Sequence, residues 1–153
     1  MYDVNLISLT LCEMWDRDLT HSSLQRLLYF SHVRKLLQTG KPLLKSIRRG
    51  EPASFCAWPF GAVHPGVYSD LRHKRAIYQV LKEIPVEDTL LSEDRNLLKE
   101  INETYKRHSE KELMDVFFDP SKPYYSPYHQ VYREGFSEFI PDELILKERT
   151  ENE

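Results

Sequence analysis

Cysteine is scarce in this chain of 153 residues, with only Cys12 and Cys56, each inside an apolar run (LTLCEMW and ASFCAW). Two such residues cannot supply a disulfide framework, and their surroundings fit buried free thiols in a reducing cytosol. Glycine is also sparse, with five. No GxGxxG, Walker loop or GxSxG pattern occurs, so phosphate cradles built from backbone amides are poorly supplied and nucleotide hydrolysis is not expected. Positive charge has no excess: 21 Lys and Arg stand against 24 Asp and Glu, a net charge of −3. No long-range field therefore draws the molecule to nucleic acid or anionic lipid. A membrane-spanning run of about 20 apolar residues is missing too, and the start, MYDVNLIS, lacks the basic residues of a secretion signal. These absences predict a soluble cytoplasmic protein.

Six histidines are present, but none is spaced as CxxC, HxxxH or HExxH, the patterns that close tetrahedral metal sites. No metal and no cofactor is expected. Cys56 and His64, eight residues apart across a bend, are the one pair that could form a nucleophile and base. The flanking Phe55 and Ala57 fit a structural thiol better, so no catalytic residue is assigned and enzymatic activity is not expected. Paired carboxylates such as Glu110 and Glu112 lie in charged surroundings and read as solvated faces.

What the chain does have is apolar periodicity. Val4, Ile7, Leu11 and Met14 form one stripe, with Leu6 and Trp15 beside it, predicting a first helix within residues 3 to 17. From Ser22 the chain is apolar around most of the helical circumference (Leu24, Leu27, Leu28, Tyr29, Phe30, Val33, Leu36 and Leu37), which predicts a central buried helix over about 23–39. Ser22 and Gln25 have the form of a capping box at its start, and Gly40 and Pro42 close it. Between 43 and 60, Gly50, Pro52 and the run Ala53 to Trp58 predict a small β or irregular element. Pro65 and Gly66 lead into a short helix with Val67, Tyr68 and Leu71 inward, ending at the basic cluster Arg72 to Arg75. Residues 76 to 84 fit strand or helix. Ser92 opens a helix carrying Leu97, Leu98, Ile101 and Tyr105, Ser109 and Glu112 form a second capping box, and Pro141 starts a terminal helix. The expected fold is mainly α, one compact domain over 1–149 packed around the central helix, with a disordered tail over 150–153.

Two aromatic groups are candidates for a binding surface. Trp58, Phe60 and Tyr68 flank a bend and suit core filling as well as partner contact. Downstream, SKPYYSPYHQVY places Tyr124, Tyr125, Tyr128 and Tyr132 in a short irregular stretch that cannot easily bury them all, and exposed Tyr anchors protein interfaces.

LQRLLYF at 24–30, GKPL at 40–43 and AWPFGAVHPGVYSDL at 57–71 resemble, in order and spacing, the Panacea-domain proteins, the SocA-like antitoxin family that includes phage-associated GepA-like proteins. There the pattern looks like LQKLLYY, GKPLF and AWxxGPVVPxVY. LSEDRNLLKEINETY and IPDELI are similar to that family's second half. Gly61, Ala62 and Val63 stand where the family has GPV, and Pro59 follows Trp58. The resemblance implies a helical antitoxin that neutralises a cognate protein toxin by direct binding, with a host protease or regulator as a further partner. The alternative is a phage or prophage accessory protein acting on a host regulatory protein.

Overall fold

The central helix is real and longer than its apolar pattern. In the computed structural model, which describes residues 1–151, α2 spans His21–Thr39, and Leu24, Leu27, Leu28, Tyr29, Phe30 and Val33 on it are fully buried. Its start differs from the expected capping box. Thr20 is the N-cap, its side chain accepting from the Ser23 amide, while Ser22 Oγ accepts from Arg26 and Gln25 reaches away to His64. The turn before α2 carries the chain in at Thr20 because Leu19 is buried there, so the first orphan amides meet Thr20 two residues early. At the far end Gly40 adopts φ 75° as the left-handed cap.

The helix α1 (Val4–Met14), capped by Asp3, packs on α2 and contributes Ile7 and Leu11 to the core. A three-stranded antiparallel sheet, in the order β2-β1-β3, covers another side of α2. It is built from β1 (Ala53–Trp58), β2 (Gly61–Val63) and β3 (Glu138–Pro141). The first two strands form the expected small element. The third was not foreseen, because EFIP is too short to show alternation and exists only through its pairing with Ala53, Phe55, Cys56 and Ala57.

Helices fill the rest: α3 (Pro65–Leu71), α4 (Ile77–Lys82), α5 (Ser92–Tyr105), α6 (Glu110–Phe118), α7 (Tyr125–Val131) and α8 (Asp142–Glu151). The ambiguous stretch after Arg75 is therefore helical, burying Ile77 and Leu81. The helix α8 continues through Thr150 and Glu151, which were expected to be disordered; residues 152 and 153 lie outside the described residues. The fold is mainly α around one core, as expected. His32, fully buried on α2, locks its periphery: Nδ1 accepts from the Leu44 amide at 3.3 Å, so Nε2–H donates to Asp142 Oδ1 at 2.9 Å.

Two serines that look alike in sequence have different duties. Ser109 caps α6 in a complete capping box with Glu112. At α5 the N-cap is Leu91, without a side-chain hydrogen bond, and Ser92 lies exposed inside the first turn. Ser109→Ala should cost about 1 kcal/mol, and Ser92→Ala should stay within about 0.5 kcal/mol, as read from urea denaturation midpoints.

Candidate functional site

β1 and β2 are joined by a two-residue turn, with Trp58 opposite Gly61 and Pro59 and Phe60 between. Gly61 has φ 129°, a conformation that side chains with a Cβ rarely adopt, so glycine permits the turn, and the Phe117 ring of α6 packs against it. The turn thrusts Phe60 into solvent, 78% exposed. Behind it lies a groove of about 190 Å³, walled by Trp58, Ala62 and Val63 of the hairpin, Tyr68 of α3 and the first two turns of α2. The Trp58 and Tyr68 rings meet edge to face at 4.8 Å, and the His21 ring lies 5.7 Å from Tyr68. Trp58 Nε1 donates to Ser137 Oγ at 2.8 Å, fixing the indole.

The α2 end of the groove is polar in kind but mostly buried. Gln25 clamps His64 like a strand partner: Oε1 accepts from the His64 amide at 2.9 Å and Nε2 donates to its carbonyl at 3.2 Å. His64 in turn caps α3, its Nδ1 accepting from the Val67 amide. Burial lowers the His64 pKa to about 4, and burial lowers that of His21 as well, so both rings are neutral at pH 7. Arg26, 7% exposed, donates to Ser22 Oγ at 2.6 Å and to the Phe60 carbonyl at 3.4 Å, while its Nε has no partner.

The predicted aromatic groups thus separate. Trp58, Phe60 and Tyr68 converge on the groove. Tyr124 and Tyr128 are core residues, 4% and 3% exposed, which corrects their reading as exposed anchors. Tyr29 Oη donates to the Tyr124 carbonyl, the Tyr124 and Tyr105 hydroxyls are 3.2 Å apart, and Tyr128 Oη donates to the Trp58 carbonyl at 2.6 Å. Helix formation at α7 made this burial possible, by giving an apparently irregular segment an inward face. Tyr125 is half-buried between Phe118 and His129. Next to it, Met114 and Phe118, four residues apart on α6, are each 37% exposed.

The Cys56 and His64 pair is not assembled. Cys56 stands opposite Val63 in the ladder, so strand alternation sends Phe55 and His64 to the other face, where their rings are 6.1 Å apart. Burial also pushes the Cys56 thiol pKa up. Among the described residues, no group of three or more His, Cys, Asp or Glu side chains could hold a metal ion, and no helix is long and apolar enough to cross a membrane.

Residues 24–122, which contain most of α2 and of the groove lining, the hairpin and α6, match the family described as "Antitoxin SocA-like, Panacea domain". The chain belongs to this SocA-like, Panacea-domain family. It is also similar to Antitoxin SocA of Caulobacter vibrioides (strain NA1000 / CB15N), with 43% identity over 53 residues, covering 35% of this chain and 24% of that protein. The match thus spans about a quarter of the length of that curated relative. No solved structure matches the chain. The family's Gly61 position is accounted for by the hairpin, whereas Gln25 and Arg26 of LQRLLYF were missed as site residues. Their signal was present: two polar side chains on the apolar part of a buried helix need buried partners or a ligand.

Proposed function

We propose that this Panacea-domain chain is an antitoxin that acts in the cytoplasm by binding a protein toxin directly, without catalysis, and that Phe60 and the groove behind it are the contact. Family membership supports the antitoxin role. The observation that carries the choice of surface is Phe60: a phenyl ring 78% exposed at the tip of a rigid turn, beside apolar walls, has no stabilising part in the free fold. Burial in a partner would recover about 2 kcal/mol from such a ring, and aromatic anchors of this kind dominate protein interfaces.

The test is growth rescue on co-expression with the protein encoded beside this gene. The wild-type chain should restore growth. Phe60→Asp should abolish rescue with an unchanged melting temperature, since the ring lies outside the core. A neighbour that is not toxic, or rescue that persists with Phe60→Asp, would refute the toxin or the surface respectively. Recovery of a host regulatory protein on Phe60, with no toxic neighbour, would instead make the chain an accessory module acting on its host.

A further inference from the structure

Arg26 is the anomaly of the groove. Arginine retains its charge in a protein interior and needs either water or a counter-ion there. This one is more than nine-tenths buried, and among the described residues it forms no ion pair. Of its five donors, one makes a short bond, to Ser22 Oγ at 2.6 Å; the contacts to the Ser22 and Phe60 carbonyls are both 3.4 Å, and Nε is unpartnered. Glu110 is the carboxylate whose charge it feels, yet Glu110 Oε1 is engaged by Thr20 Oγ1 at 2.8 Å. A planar fork of donors that matches carboxylate geometry is thus held at an apolar groove with its charge unmatched.

The cavity sets the size of what lies beside it. About 190 Å³ falls below the roughly 300 Å³ at which cofactor and metabolite sites begin, and suits one large side chain. Burial lowers the pKa of the neighbouring His21 and His64, so they bring no positive charge at pH 7, and Arg26 is the cation that lines the groove.

We infer that the groove takes a segment of the partner protein in which an apolar or aromatic side chain fills the space between Trp58, Tyr68 and Ala62 while an adjacent Asp or Glu side chain pairs with Arg26. The inference rests on the reading of this face as the partner-binding surface. It adds a rule of recognition: Phe60 and the walls supply affinity, and Arg26 selects acidic neighbours. Without the acid, docking an apolar residue would seal an uncompensated cation from water.

A random peptide library displayed with its C-termini blocked by fusion, and selected on the full chain, tests this. Enriched sequences should carry a large apolar residue with Asp or Glu within two positions. A selected peptide should shift the indole N–H resonance of Trp58, and its Asp→Asn variant should bind the wild-type chain about tenfold more weakly. Against Arg26→Gln the two peptides should bind alike. Enrichment without an acidic preference, an Asp→Asn penalty that persists in Arg26→Gln, an unmoved Trp58 resonance, or no enriched peptide would each overturn the inference. The Asp→Asn comparison is made on the wild-type chain, so it decides even if Arg26→Gln folds poorly. Growth rescue is read separately: a chain that rescues equally as Arg26→Gln loses this rule and keeps the antitoxin role, whereas acidic selection without any toxic neighbour does the reverse.

Discussion

Tyr29→Ala should lower stability by about 4 kcal/mol, a large share of a domain total on the order of 5–15 kcal/mol. Tyr29 is fully buried on α2, with ring centroids 5.2 Å from Phe55, 5.6 Å from Phe117 and 6.2 Å from Tyr124. It therefore joins the central helix to β1, α6 and the start of α7 at one point. Truncation removes the packing, opens a cavity that three separate elements would have to close, and leaves the Tyr124 carbonyl without the hydroxyl that donates to it at 2.7 Å. Tyr29→Phe isolates the last effect: the ring stays, and the loss should be about 1–2 kcal/mol, the cost of a buried unsatisfied acceptor. Urea denaturation of both variants beside wild type gives the two differences. Equal losses for Phe and Ala would show that the hydrogen bond, rather than the aromatic junction, holds this part of the core.

The second large effect is on pH. His64 must be neutral in the folded state, because its Nδ1 accepts from the Val67 amide and its ring is buried. Its folded pKa of about 4 lies below the ordinary 6.5 of an unfolded chain. Between those values the unfolded state binds a proton that the folded state does not, so stability falls as the pH drops from 6.5 toward 4 and is fully present above that window. At about 1.4 kcal/mol per pH unit, the loss across the window is on the order of 3 kcal/mol. His21, whose pKa burial also lowers, acts in the same direction. The carboxylates held below their usual range, Asp88, Glu112 and Asp119, lose their contribution only as the pH passes below ordinary carboxylate values. Denaturation at pH 7.5 and pH 5.5 therefore separates the histidines from them. His64→Asn keeps a side chain that can cap α3 and should flatten most of the slope, leaving the part due to His21. Parallel profiles for wild type and His64→Asn would refute the assignment.

The pH effect arises where the hairpin, α3 and the first turns of α2 meet, the region that also carries Phe60 and Arg26. A drop in pH that weakens the Gln25 and His64 clamp would act on the same groove that the partner is proposed to fill. Binding and stability should thus share an acid limit.

Much of this was legible in the residues themselves. The central helix, its Gly40 cap, the capping box at Ser109, the buried side of α5, the hairpin strand at Ala53–Trp58 and the family likeness all rest on local signals: period, caps and turn residues within a few positions of one another. Trp58, Phe60 and Tyr68 could be named for the same reason, as they sit within one bend. Three features could not be read this way. Thr20 replaced Ser22 as the cap of α2 because the burial of Leu19 fixed the entry of the chain. β3 formed from residues with no strand period because β1 offered an edge more than 80 residues away. Tyr124 and Tyr128 entered the core because Tyr29 and the end of β1 supplied partners for their polar atoms. The sequence by itself determined most of the helical segments and their apolar faces, α4 and α7 excepted. Only the tertiary structure decided which polar groups on those faces found partners, and among the described residues it left Arg26 hydrogen-bonded but without an ion pair, since pairing of buried charge depends on elements brought together across the chain.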